Sequence, residues 1–381
     1  MTEQKAQAIR DFIMAHKAEM LDDLLSLAHA ESPTSDKAAC DACAKVLEGL
    51  VQKNLGVSCR RFEQAENGPH LLAAVGEGRT RALIIGHYDT VWNVGALPFS
   101  QRGNELHGPG VYDMKYGDVS GLWALRALRE LDMLPAGRVE FFFNSDEETG
   151  SHTSRPLFEQ RAKEAECVLI LEPASGPDKG FAIKSGRKGV GHFHIAVTGR
   201  ASHAGNDYSK GRSAVLEAAR LTEKLFALTD LDKGTTVNVG VLSGGTKVNV
   251  VAARADLDVD VRIRTPEEGE RLTRAITGLR PTLDGISLEV TGGINRPPFV
   301  FTPQNQALFR RVEAIAAAMG HTLRHTEVGG GSDGNFISAL GIPTLDGFGA
   351  VGDGAHAAHE HILLEESLES TVRLAAYLSE I

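Results

Sequence analysis

Three short stretches of the chain are apolar almost without interruption: RALIIGH (81–87), RVEFFFNS (138–145) and CVLILEP (167–173). Runs of this length that do not alternate predict strands buried on both faces, and such strands belong to sheets covered by helices. Helical periodicity surrounds them. Ile9, Phe12, Ile13, Met20, Leu21, Leu24 and Leu25 form one apolar stripe on a first predicted helix. Ala39, Cys43, Val46, Leu47, Leu50 and Val51 recur at steps of three and four on a second. Another helix is predicted over about 118–132, between two of the strands. The layered α/β class follows.

The texture changes after about residue 186. VGHFHIAVTG reads as a strand, SAVLEAARLTEKLFAL as an amphipathic helix, and PEEGERLTRAITGL as a helix opened by Pro and acids. TTVNVGVLSGG and TKVNVVAARADLDVDVRI read as two hairpin strands joined across Gly244 and Gly245, and SLEVTGG as a last strand. In the second hairpin strand Leu257, Val259, Val261 and Ile263 alternate with Asp258, Asp260, Arg262 and Arg264, so one face is apolar and the other polar. The order β-α-β-β-α-β is that of a ferredoxin-like sandwich. From about 296 helices and buried strands return, with NQALFRRVEAIAAAMG ending at Gly320 and a final helix over about 365–380. Residues 187–295 therefore read as a domain inserted into one built from 1–186 and 296–381.

Composition narrows the function. With 42% hydrophobic and 24% charged residues the chain reads as a soluble globular protein. Its 50 acids against 40 bases give a net charge of -10, which argues against nucleic acid as a partner. No apolar run is long enough to span a membrane, and the charged start MTEQKAQAIRDFIMAHKAEM does not read as a leader. With four Cys, a cytoplasmic location is expected. Cys40 and Cys43 form a CxxC without a second pair and read as small residues on a helix face. GVLSGGTK (240–247) has Thr-Lys in the wrong order for a phosphate loop, and no H-E-x-x-H occurs. His192 and His194 share a strand face without a third ligand and read as ordinary surface or core residues.

The chemistry lies where the strands end. Strand 81–86 runs into His87-Tyr88-Asp89, strand 138–145 into Asp146-Glu147-Glu148, and strand 167–171 into Glu172. Asp113 stands just before a helix, and a late loop carries His356, His359 and His361. Ligands of open α/β sheets gather beyond the carboxyl ends of strands. Several carboxylates in one small volume cannot all ionise without a cation, and mixed His and Asp/Glu ligation suits Zn²⁺.

Taken together, GHYDTV (86–91), GPGVYDMKYG (108–117), SDEETGS (145–151), LEP (171–173), GRASHAG (199–205), GGGSDGNF (329–336) and GAHAAHEHI (354–362) resemble the dizinc metallopeptidases. That family includes glutamate carboxypeptidase, aminoacylase, acetylornithine deacetylase and succinyl-diaminopimelate desuccinylase, and the texture is most similar to the glutamate carboxypeptidase branch. The resemblance implies a metallopeptidase-type α/β catalytic domain, with helices on both faces of a mixed sheet, and the inserted domain as lid and dimerisation module. It implies two Zn²⁺ per chain, with Co²⁺ or Mn²⁺ as substitutes. His87 and Glu172 would serve the first ion, Glu148 and a late His the second, and Asp113 would bridge them. His356, four residues before Glu360, matches the family spacing, with His359 and His361 close by. Asp89 would orient His87. Glu147 would be the general base for a metal-bridging water. A cis peptide after Asp113 is implied as well.

By the same resemblance His203 would stabilise the oxyanion, often across a subunit boundary, and Asn249, Arg262 and Arg296 would hold a substrate carboxylate. Gly331 and Ser332 would bring backbone donors to the substrate. The chain departs from many relatives in lacking Pro after Asn249, where Val251 and Ala252 follow Val250. The expected enzyme is a zinc-dependent carboxypeptidase acting on a small peptide or N-acyl amino acid, as a homodimer. The alternatives are an N-acyl-amino-acid deacylase and, from another class, a non-catalytic binding protein.

Overall fold

The computed structural model describes residues 1–175 and 182–381. They form two compact units: Met1–Gly186 with Phe301–Glu327 and Ser332–Ile381, and Arg187–Val300 with Val328–Gly331.

The first unit opens with helices α1 (Glu3–Ala15), α2 (Lys17–His29) and α3 (Lys37–Leu55). Strands β1 (Arg60–Phe62), β2 (His70–Gly76), β3 (Thr80–His87), β4 (Ser100–Arg102) and β5 (Glu105–His107) follow. After them come α4 (Tyr116–Glu130), β6 (Arg138–Asn144), α5 (Arg155–Ala162), β7 (Cys167–Ile170) and β8 (Ala182–Arg187). The apolar stripe from Ile9 to Leu25 is shared by α1 and α2, because the chain breaks at His16 (φ -105°, ψ 14°). No Gly or Pro marks that break, and both helices bury the same face, so the periodicity runs straight through it.

The second unit contains β9 (Gly189–Thr198), α6 (Ala214–Phe226), β10 (Thr236–Gly244), β11 (Arg254–Ile263), α7 (Pro266–Thr277) and β12 (Ser287–Arg296). Its sheet has the order β10-β11-β9-β12. Phe193, Ile195, Val259 and Val261 pack with Leu221 of α6 and Leu272 of α7 on one face. The opposite face carries His192, His194, Asp258 and Asp260 in cross-strand register. The expected tight hairpin is not formed. Gly245 turns at φ +77°, and the segment up to Ala253 leaves the ladder to bond elsewhere: Val251 N–H donates to Ser202 O, and Ala252 O accepts from Ala214 N–H.

The chain then returns with α8 (Pro303–Ala318), β13 (Arg324–Val328), α9 (Gly334–Ala339), β14 (Thr344–Asp346), β15 (Gly352–Asp353), β16 (His361–Leu363) and α10 (Leu364–Ser379). An eight-stranded sheet results, ordered β1-β2-β6-β3-β7-β14-β8-β13. Its centre is parallel (β6/β3, β3/β7 and β7/β14) and its β1/β2, β2/β6 and β14/β8 pairs are antiparallel, so the sheet is mixed. One face packs Ile84, Phe141 and Leu169 against α3 and α4. The other packs Leu83, Phe142 and Val168 against Phe158 of α5 and Phe336 of α9. Helices thus cover both faces, which is why the strands read as unbroken apolar runs.

Candidate metal centre and active site

β6, β3 and β7 are neighbours and parallel, so their carboxyl ends open along one edge. His87 is the last residue of β3 and lies level with Asn144 at the end of β6. Glu147 and Glu148 begin a short 3₁₀ turn just beyond β6, and Glu172 lies two residues past β7. Asp113 sits in the tight turn that leads into α4, and its peptide to Met114 is cis. Gly86 precedes His87 because any Cβ there would strike the Asp118 carboxyl.

The side chains converge. His87 Nε2 is 3.3 Å from Asp113 Oδ1 and 3.6 Å from Glu172 Oε1. His356 Nε2 is 3.4 Å from Asp113 Oδ2 and 3.1 Å from Glu148 Oε2. Asp113 therefore faces both imidazoles. Ligand atoms of His87, Glu147 and Glu172 lie within 4.8 Å of one another, as do those of His87, Asp113 and Glu148. His87 Nδ1 donates to the Asp89 carbonyl at 3.0 Å, which directs the lone pair of the neutral ring onto Nε2. The buried Asp89 carboxylate accepts from Thr34 Oγ1 at 2.7 Å and from the amides of Glu147 (3.3 Å) and Glu148 (3.2 Å). One carboxylate thus fixes the Glu147–Glu148 turn as well as sitting beside His87.

This donor set fits divalent ions. His87 Nε2 and Glu148 Oε1 are buried and make no hydrogen bond, although carboxylate oxygens surround the imidazole. Orphaned polar atoms of this kind are costly unless a cation occupies the space between them. The titration directions agree. Burial alone would lower the His87 pKa, but the surrounding carboxylates of Asp113, Asp89 and Glu172 outweigh it and raise it well above the usual imidazole value. Asp113 and Glu148 push His356 up to about 11. Burial lifts Glu148 to about 7, and the two imidazolium partners hold Asp113 far below the carboxylate range against its own burial. Metal uptake by these groups would therefore release protons.

The late histidines separate in space. His356, at φ +60°, reaches the carboxylates, whereas the His361 ring lies tilted against His107 at 5.0 Å between ring centroids. The His361 ring also bonds the His359 carbonyl. In the second unit, His203 Nδ1 accepts from the amides of Gly205 and Asn206, both at 3.1 Å. Asn249 O accepts from Ala204 N–H at 2.9 Å. Arg262 is held by Asp260 through two bonds of 2.9 Å, and Arg296 is buried. Gly331 lies where a Cβ would come within 2.9 Å of Arg296 Cδ, so a larger residue would displace the Arg296 side chain. Ser332 is buried in the first unit with its hydroxyl donating to Asp346 at 2.6 Å, so this hydroxyl serves the fold. His192 and His194 lie on the exposed polar sheet face beside acids.

Sequence reasoning overlooked Thr34, which bonds Asp89, and used Glu360 only to count spacing. Thr34 lies in the Ser-Pro-Thr step after α2, where turn chemistry was its only signal. Asp118 was overlooked too. It is fully buried on α4, and neither of its oxygens has a hydrogen-bond partner. Burial holds its carboxyl well above the usual carboxylate range. The folded state therefore binds a proton that the unfolded chain has already released, and stability falls as pH rises above the ordinary carboxylate value toward the folded one. Asp118→Asn removes this slope. In metal-free protein the variant is expected to gain about 1–3 kcal/mol at pH 8 and much less at pH 5. Thermal melts of both proteins at the two pH values check this; an equal gain at both would refute the assignment.

A mixed, helix-covered sheet with this donor set at its parallel strand ends defines a hydrolase of the metallopeptidase class. Residues 83–380 match peptidase family M20/M25/M40, and the chain belongs to that family. It is similar to carboxypeptidase G2 of Pseudomonas sp. (strain RS-16), 30% identical over 347 residues covering 89% of this chain and 83% of that protein. It is also similar to succinyl-diaminopimelate desuccinylase of Thiobacillus denitrificans, 25% identical over 378 residues covering 94% and 93%. The crystal structure of aminopeptidase PepT from Bacillus cereus shares the fold, with TM-score 0.77 at 23% identity over 96% of this chain and 98% of that one. Among the described residues no helix is long and apolar enough to cross a membrane.

Proposed function

We propose that the protein is a two-metal carboxypeptidase that hydrolyses a peptide or N-acyl amide bond next to a free carboxylate. The observation that carries this reading is the orphaned His87 Nε2 and Glu148 Oε1 among the oxygens of Asp113 and Glu172. Similarity to carboxypeptidase G2 over most of both chains supports the substrate class. The fold itself does not choose, since PepT shares it and is described as an aminopeptidase.

His87 and Glu172 would hold one metal ion, Glu148 and His356 the other, with Asp113 between them. Two divalent ions, Zn²⁺ by donor type, would polarise the scissile carbonyl and lower the pKa of the attacking water. Glu147 takes the proton from that water and delivers it to the leaving amine. Its direction is set by the Asp89 bond to its own amide. His203 acts as a donor to the developing oxyanion. Because its Nδ1 accepts two amide bonds, the neutral ring carries its proton on Nε2. Arg296, with its planar pair of donors, recognises the substrate carboxylate.

The test is a hydrolysis panel of purified, zinc-loaded protein. Dipeptides and N-acyl-glutamates with a free C-terminal carboxylate are expected to be cleaved at least about 10²-fold faster than their amidated forms, which lack the charge that a guanidinium would pair with. Turnover confined to N-succinyl or N-acetyl substrates, with no dipeptide cleaved, would favour the deacylase. No turnover by a metal-loaded protein would leave the binding-protein reading.

We also propose that the second unit mediates homodimerisation. β10 is an edge of its sheet and carries exposed Val241 and Leu242, and α6 of the same unit carries exposed Val215 and Leu216. An unpaired edge with apolar neighbours is a template for a second copy. Sedimentation is expected to give twice the chain mass of 40.8 kDa, and Leu242→Asp to shift it toward monomer. Wild-type protein that sediments as a monomer would end this proposal.

A further inference from the structure

The His356 loop is held to the Asp113 turn by a residue that touches no ligand atom. Glu360 is buried, and its Oε1 accepts from the amides of Tyr112 (3.0 Å) and Asp113 (3.2 Å). Its Oε2 accepts from the indole Nε1 of Trp92 at 2.5 Å. Trp92 lies five residues beyond His87, so one carboxylate joins three segments far apart in the chain. The loop bearing His356 is closed at its base, where a Cβ on Gly354 (φ +88°) would come within 2.8 Å of the Glu360 backbone. Glu360 N–H also donates to Ala357 O at 2.9 Å. His356 itself is more than half exposed, so packing does little to hold its ring.

The geometry points to Glu360, locked by the Trp92 indole, as the positioning residue that sets the distance between Asp113 and His356. This inference rests on the two-metal reading above. A carboxylate accepting three N–H bonds is strongly held, so the loop cannot drift without breaking a charge-assisted bond. The metal ion that needs His356 depends on this clamp. The ion that needs His87 and Glu172 depends on it less, through Asp113 alone, because Asp89 orients His87 and the described contacts of Glu360 reach neither His87 nor Glu172. The pair therefore governs one ion more than the other.

Trp92→Phe removes the indole donor and keeps an aromatic ring, and Glu360→Gln keeps the size and removes the charge. Metal-free protein is titrated with Co²⁺, and the visible absorption is followed per equivalent. Wild-type protein is expected to take up two equivalents. In both variants the first should bind nearly as in wild type and the second about 10–100-fold more weakly, the usual effect of losing a partner that orients a ligand. With peptide substrate, kcat should recover at excess metal while KM stays constant. Two wild-type equivalents with an unchanged second affinity in Trp92→Phe, or an equal weakening of both equivalents, would overturn the inference alone. Fewer than two wild-type equivalents would overturn the two-metal reading and this inference with it. Should Glu360→Gln fail to fold, Trp92→Phe carries the test by itself.

Discussion

Glu147→Gln is expected to keep its full metal content while kcat falls by about 10²–10⁴-fold, the range that a positioned acid–base group contributes. KM should change little, because the carboxylate acts on protons in the transition state rather than on bound substrate. The structure makes this a sharp test. Glu147 and Glu148 are adjacent, yet their ligand atoms fall in different groups: Glu147 with His87 and Glu172, Glu148 with His87 and Asp113. If Glu147 were itself a ligand, Glu147→Gln would lose a metal equivalent along with its activity. Elemental analysis alongside steady-state kinetics separates the two outcomes, and an active Glu147→Gln protein would remove the residue from the mechanism.

Asp113→Ala is expected to abolish metal retention altogether and to lower kcat/KM by at least about 10³-fold, with no rescue by moderate excess zinc. Asp113 presents one oxygen to each imidazole, 3.3 Å from His87 and 3.4 Å from His356, so its loss opens both halves of the centre at once. The same substitution removes the largest cause of the raised His356 pKa, which should then move back toward the ordinary imidazole value. Circular dichroism of the variant controls for folding. Two metal equivalents bound with wild-type affinity would refute the bridging role.

Much of the first unit was legible because burial on both faces leaves a plain mark. The runs that became β3, β6 and β7 could not be amphipathic helices of that length, and each stopped at a carboxylate or imidazole. The second unit was legible for the opposite reason: β11 alternates, with Leu257, Val259, Val261 and Ile263 inward and Asp258 and Asp260 outward. The break at His16 and the loop after Gly244 were not legible. At His16 the apolar period runs on through the break, and after Gly244 the chain leaves the ladder for a distant partner, Ser202 O for Val251 N–H.

What the sequence by itself determined is the alphabet of the site and the layered class that presents it. Residue type and strand-end position follow from local pattern, and the family motifs carry the donor set in order. What only the tertiary structure decided is which distant groups act on one another. Asp89 binds the amides of Glu147 and Glu148, and Glu360 binds the amide of Asp113 and the indole of Trp92. Asp118 is left buried without a partner. These pairings join residues separated by up to 268 positions. Spacing along a chain encodes the period of a helix or strand, whereas the meeting of two remote side chains is set by how whole elements pack.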